Sequence, residues 1–351
     1  MIFDICSEKF IEDIPDKAEV YIYGAGKFGI EVHGIIRRLR PDVKILGFID
    51  TYRSGNGILS FEEFKRAKPS CDLVVIASGK YWREMKRNVE SLGYDVIIPA
   101  LYKSELSEEQ REKIQEVEKR ICKGADLYRK VISCYLERDD SFLQEYYSAE
   151  RWEKIYLEYV DFTNCKYIIE GGVYKGGATK RFLALSNDVF VVGFDIWGDA
   201  FLSDCLRKND RLKVYKRALW KEETELCFMS DFAKFTPAGT FVMKCEDVPD
   251  FVDRSVLSRV SAVALDDFVF NKGGCARVDF IKLDIEGAEL EAIMGAKRVI
   301  SEFRPQMALS VYHKLEHYYE IPLYVLSIDS SYKLYFEHYG KDLSDSVMYF
   351  V

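Results

Sequence analysis

Two α/β units, each a mostly parallel sheet alternating with helices, are what this sequence predicts, and three features predict them. Strand and helix patterns alternate from residue 19 to residue 100, and the alternation resumes from residue 165. The third feature is a pair of segments, Ile168-Ile-Glu-Gly-Gly-Val-Tyr-Lys-Gly-Gly177 and Asp279-Phe-Ile-Lys-Leu-Asp-Ile-Glu-Gly-Ala-Glu289. Each is a run of apolar β-formers that ends in a carboxylate and then glycine. A buried parallel strand reads this way where it opens into a ligand-binding loop.

In the first unit, strands are expected at 19–23, 43–49, 72–77 and 95–98, with helices at 27–39, 61–68 and 81–92. Residues 104–160 change character. The charged stretch from Ser107 to Arg120 carries a narrow apolar stripe of Ile114, Val117 and Ile121, and further helices are expected at 125–136 and 149–159. Almost no Gly, Pro or Ser run occurs there, so the region reads as a helical connector. From 165 onward, strands are expected at 167–170, 189–195, 212–219, 279–284 and 307–312, with a β-rich insertion at 225–242. One helix is expected after Gly287, on the spacing of Leu290, Ile293, Met294, Ala296 and Ile300. Two final strands are expected at 332–336 and 347–351. The resulting domains are 1–103, 104–160 and 161–351.

Composition agrees with folded domains and limits the function. At 351 residues the chain exceeds one ordinary core. A net charge of −8 disfavours a general nucleic-acid binder, which needs a basic surface. No apolar stretch approaches the roughly 18 residues of a membrane span. The N-terminus lacks a signal-peptide pattern, so a cytoplasmic protein is expected. The nine cysteines are scattered, odd in number and without a CxxC pair, and read as reduced thiols. The oligomeric state is left open.

The motifs carry the chemistry. Glu170, Gly172 and Gly176 fit an acid followed by spaced glycines, whose backbone N–H groups approach a ligand beside a helix N-terminus. An ordinary tight turn is the bland alternative. Asp195, ending the next strand, suits the two hydroxyls of a ribose, or else caps the stretch after Gly198. The third strand ends Arg217-Ala-Leu-Trp220, placing Leu219 and Trp220 where an adenine would lie, although aromatics there are usually core. Asp284 and Glu286 close the fourth strand and His313 the fifth. Asp284 is the first choice for an acceptor-side base or orienting group, and His313 the second. A divalent metal on Asp284 and neighbouring carboxylates is conceivable but not favoured. Glu289 reads as helix N-terminal charge, and His317 and His338 as surface or capping residues.

The segment 279–289, followed by Gly295-Ala-Lys297, resembles the signature of the FkbM family of methyltransferases. Ala264-Leu-Asp-Asp-Phe268, Pro305–His313, Tyr318–Tyr324 and Tyr332–Tyr339 are similar to further family segments, so the resemblance spans roughly residues 150–351. It implies a seven-stranded methyltransferase sheet with an antiparallel last strand. It also implies S-adenosylmethionine as cofactor, with Glu170 commonly facing its ammonium group, and O-methylation of a sugar or other small polar metabolite. The family usually reads D-x-G-A-N-x-G at the first loop, where this chain has Tyr174 and Lys175.

Two other readings compete. Gly24, Gly26 and Gly29 fit G-x-G-x-x-G between a strand and a helix, with Asp50 about 20 residues on. This first unit is similar to the small Rossmann-like domain at the front of some sugar-modifying enzymes. It would bind a nucleotide sugar or NAD(P), or its glycines merely tighten the turn. The second alternative is a non-catalytic binding protein that keeps the methyltransferase fold.

Overall fold

The computed structural model describes residues 8–52, 54–55, 57–79, 81–102, 105–137, 139–229, 242–248 and 257–351. The chain divides into two compact units. One comprises Met1–Ser107, Lys130–Tyr146 and Lys341–Ser344; the other comprises Glu108–Arg129, Tyr147–Gly340 and Asp345–Val351. The segment 104–160, expected as a connector, is therefore shared between them.

The first unit follows the alternation read from its sequence. Its elements are β1 (Glu19–Tyr23), α1 (Lys27–Leu39), β2 (Lys44–Asp50), β3 (Ile58–Ser60), α2 (Phe61–Ala67), β4 (Leu73–Ile76), α3 (Trp82–Glu90) and β5 (Asp95–Ile97). The strands form a parallel sheet ordered β3-β2-β1-β4-β5. Val20, Ile22, Val74, Val75 and Ile76 are fully buried, as central strands covered on both faces require. The sequence reading missed the three-residue β3, which runs straight into the capping box of α2. There the Ser60 hydroxyl accepts from the Glu63 N–H, and the Glu63 carboxylate accepts from the Ser60 N–H.

Next come α4 (Glu108–Arg120), β6 (Ile121–Lys123), α5 (Ala125–Glu137), α6 (Ser141–Tyr146) and α7 (Ala149–Trp152). Two expectations fail here. Ile121 starts a strand instead of continuing the α4 stripe, and the helix expected at 149–159 stops at Trp152. Tyr156 has φ +68°, a left-handed conformation in which no α-helix continues.

The second unit carries β7 (Tyr167–Gly171), α8 (Gly177–Leu185), β8 (Phe190–Asp195), α9 (Asp204–Arg207), β9 (Leu212–Lys216), β10 (Ala218–Leu219), β11 (Thr224–Met229), β12 (Val242–Lys244) and β13 (Leu257–Val263). It continues with β14 (Phe280–Leu283), α10 (Glu289–Met294), α11 (Lys297–Phe303), β15 (Gln306–Ser310), α12 (His317–Ile328), β16 (Leu334–His338) and β17 (Ser346–Phe350). The single helix expected after Gly287 is two, broken at Gly295-Ala296. The main sheet is ordered β6-β16-β17-β15-β14-β7-β8-β9. β17 runs antiparallel to both neighbours, while β9, β8, β7, β14 and β15 are mutually parallel. Eight strands are present where seven were expected, because β6 adds to the edge beside β16.

The strand expected at 212–219 divides at Arg217. Its last two residues, β10, join a second sheet ordered β10-β13-β11-β12. Part of the expected insertion, residues 230–241, lies outside the described residues. Cys227 and Cys245 are joined in a disulfide, so the expectation of reduced thiols fails for these two.

Candidate functional site

The two glycine-bearing strand ends that stood out in the sequence are neighbours in space. β7 pairs with β14, Lys282 lying opposite Glu170 and Leu283 opposite Gly171. Beyond the strands the two loops touch backbone to backbone. A Cβ on Gly172 would sit 1.8 Å from the Asp284 carbonyl oxygen, and Gly172 has φ +77°. Both facts demand glycine there. Behind this contact Lys282, 2% exposed, donates to the carbonyl oxygens of Gly171 (3.1 Å) and Gly172 (2.7 Å). A buried ammonium group thus braces the turn.

Glu170 is wholly buried behind the loop and accepts from the Thr179 hydroxyl at 2.6 Å. Burial lifts its carboxyl to about 7, against the opposing pull of Lys282 and Thr179. Gly176 makes the αL turn into α8 and packs on Leu202 and Leu206. Asp195 fastens the loop from the other side. One oxygen accepts from the N–H groups of Val173 (3.1 Å) and Tyr174 (2.8 Å), the other from Trp197 N–H (2.8 Å). Burial raises its pKa above the ordinary carboxylate value, against these N–H groups, which favour the charge.

A cleft opens over these strand ends. Its wall includes Gly172, Tyr174, Asp195, Trp197, Leu219 and Asp284, and Arg217 and Glu286 also line it. The space it encloses is about 130 Å³, and it opens widely to solvent. Glu170 and Gly176 stand outside the wall, and so does Lys175, whose ammonium group lies 5.2 Å from the Tyr174 ring. Trp197 packs edge-on against Phe201 and Phe228, and its buried indole N–H has no hydrogen-bond partner among the described residues.

On the β14–β15 side, Asp284 accepts hydroxyl hydrogen bonds from Tyr156 (2.9 Å) and Tyr312 (3.1 Å). Burial, then the Asp284 charge, pushes both tyrosines well above the ordinary phenol value, so both remain donors. His313 is buried beside three carboxylates. Its Nε2 lies 3.4 Å from Glu286 and 3.7 Å from Asp284, and its Nδ1 lies 2.9 Å from Glu289. Glu289, fully buried, also faces His317 Nδ1 at 3.2 Å and accepts from Ile285 N–H at 2.8 Å. Burial opposes protonation of His313, but Glu289 and Glu286 outweigh it and hold its pKa at about 10. Burial likewise opposes the Glu289 charge, yet the imidazoles keep its pKa well below normal.

Two sequence readings are thereby corrected and a third is extended. Glu289 stands in the first turn of α10, as its helix-end reading expects, and is also fully buried beside His313 and His317. His317 is 1% exposed and belongs to that cluster. His338 is fully buried, with Nδ1 2.8 Å from the Ser346 hydroxyl. Lys282, Tyr156 and Trp197 were missed. Lysine inside an otherwise apolar parallel strand was a usable signal; Tyr156 offered none, being 128 positions from its partner Asp284.

In the first unit, Asp50 accepts from Ala25 N–H (3.3 Å) and Tyr52 N–H (2.9 Å). A Cβ on Gly29 would lie 1.8 Å from the Gly24 carbonyl oxygen, and one on Gly24 would lie 2.4 Å from that of Ala77. Gly26 ends the loop as the N-cap of α1. Packing alone accounts for Gly24 and Gly29.

A parallel sheet extended by antiparallel β17, with a carboxylate-lined cleft at its strand ends, defines the class as a methyltransferase-like α/β protein. Residues 217–341, within the second half of the chain, match the family model for the methyltransferase FkbM domain. The match includes Asp284, Glu286, Glu289 and His313 and begins after the glycine loop. A solved structure, methyltransferase FkbM from Methylobacillus flagellatus KT, is similar over 99% of this chain and 94% of its own. At 18% identity and a TM-score of 0.56, that likeness concerns the fold. No curated protein matches the chain. Among the described residues, no helix is long and apolar enough to cross a membrane.

Proposed function

We propose that this chain is an S-adenosylmethionine-dependent methyltransferase that methylates a hydroxyl of a sugar or other small polar metabolite. The observation that carries the reading is the backbone contact of Gly172 with Asp284. It puts a glycine loop and a doubly hydrogen-bonded carboxylate on one cleft. The donor set suits the cofactor. Asp195, Asp284 and Glu286 give the cleft the negative charge that a cationic sulfur and an ammonium group favour. The unpartnered Trp197 N–H offers a donor, and Leu219 and Trp197 offer apolar surface for a base.

S-adenosylmethionine, when bound, supplies a methyl carbon on cationic sulfur and leaves as the neutral thioether. The chain's own residues do the rest. Lys282 and Asp195 hold the 171–174 turn in one conformation, which lowers the ordering cost of binding. Glu170 and Gly176 act from behind that turn. Tyr156 and Tyr312 fix Asp284, whose remaining lone pairs receive the acceptor hydroxyl and its proton. His313, carrying its own proton at neutral pH, orients Glu286 and Asp284 and is no base there. Proximity and orientation supply most of the acceleration in such a displacement.

Incubation with methyl-labelled S-adenosylmethionine and a panel of free and nucleotide-linked sugars tests this reading. Label on a hydroxyl oxygen, at least 100-fold lower in Asp284→Asn, is expected on the scale of a lost general base. Label transfer unaffected by Asp284→Asn would remove Asp284 from the acceptor site. No transfer to any acceptor, together with no cofactor binding, would leave the non-catalytic reading.

A further inference from the structure

Asp284, Glu289 and His313 each offer one ligand atom, and these atoms all lie within 4.8 Å of one another. The three come from different elements: the end of β14, the first turn of α10 and the loop after β15. Each of the two acids is held from outside the group. Tyr156 and Tyr312 fix Asp284, while His317 and the Ile285 N–H fix Glu289. Ligands of a metal centre are oriented in this way by their outer partners.

A second observation is independent of that proximity. The His313 side chain is 3% exposed, and its two nitrogens approach carboxylate oxygens at 2.9–3.7 Å, yet neither meets hydrogen-bond geometry with a described residue. Buried imidazole nitrogens normally find a hydrogen-bond partner or a metal.

We propose that Asp284, Glu289 and His313 form a binding site for one divalent cation of the Mg²⁺ or Mn²⁺ class at the acceptor end of the cleft. Oxygen donors with one imidazole suit such hard cations, Mn²⁺ in particular. Of the three ligands only Asp284 also lines the cleft, so an acceptor hydroxyl oxygen reaches the cation from that side and is oriented by it. The inference rests on the methyltransferase reading only for that last role; the site itself does not need it.

Mn²⁺ titration of the intact, chelator-treated chain, followed by electron paramagnetic resonance, tests the site directly. One bound Mn²⁺ per chain is expected, with imidazole nitrogen coupling in the echo-modulation spectrum. His313→Gln should remove that coupling, and Asp284→Asn should weaken binding at least 10-fold, within the range for metal-site changes. Absence of bound Mn²⁺ at millimolar concentration, or bound Mn²⁺ without nitrogen coupling in the unaltered chain, would overturn the proposal whether or not the variants fold. S-adenosylhomocysteine binding, measured in parallel with chelator present, separates the two readings. If it binds while Mn²⁺ does not, only the cation site falls; if Mn²⁺ alone binds, the cofactor reading falls.

Discussion

Lys282 illustrates how single residues hold this site. Its ammonium group is buried against the Gly171 and Gly172 carbonyls and 5.1 Å from the Tyr156 ring centre. Lys282→Met keeps the volume but leaves both carbonyls without this donor. A loss of about 1–3 kcal/mol in urea denaturation is expected, together with weaker cofactor binding; unchanged stability would contradict the bracing role. Glu289→Ala in chelating buffer leaves two buried imidazoles facing no carboxylate on that side. It should cost about 3–5 kcal/mol, whereas a mere helix-end charge would cost at most about 1 kcal/mol. Glu170 supplies a pH signature. Its pKa is raised from 4.5 to about 7 by burial, so its proton is held more tightly in the folded state. The associated stability is full below the unfolded value of 4.5 and is lost as pH rises through 7. Glu170→Gln should therefore gain stability relative to the unaltered chain between pH 5 and pH 8, by on the order of 3 kcal/mol. Parallel denaturation curves at the two pH values would sink this. Asp284 and His313 could be singled out in the sequence because they follow strand patterns in recognisable segments, although β15 stops at Ser310 and leaves His313 in the loop beyond it. The burial of Glu289 and His317 was not foreseen, because burial is not visible in helix-start spacing and a charged residue in a first turn is usually solvated.

Among the elements, the strand ends carry the function, and the patterns that mark them are also the most readable. Parallel strands such as β7, β8 and β14 are continuous apolar runs, and the α1 boundaries agree because Gly26 and Arg40 bracket one apolar face. The misses are elements whose identity depends on distant partners. β6 is a three-residue strand only because β16 lies beside it, and Arg217 divides a continuous β-pattern because β10 pairs with β13 in another sheet. The disulfide between Cys227 and Cys245 joins β11 to the end of β12, a proximity that no cysteine spacing announces. Reduction should destabilise the chain by about 3 kcal/mol, the scale for a loop of this span. Non-reducing peptide mapping should find the two residues linked; two free thiols would contradict the pairing.

Across the whole molecule, the chain matches the fold of an FkbM methyltransferase over nearly its full length, while the family model covers only residues 217–341. The second unit holds the cleft described above. In the first unit, Gly24 and Gly29 are explained by close backbone packing and Asp50 by its bonds to its own loop. The cofactor site is proposed in the second unit because the carboxylate-lined cleft lies there. Calorimetric titration of the intact chain with S-adenosylhomocysteine measures the claim most directly. One site per chain is expected, retained in Gly26→Asp and lost in Gly172→Asp while far-UV dichroism confirms folding. Binding lost in Gly26→Asp, or no binding to the unaltered chain, would contradict the account.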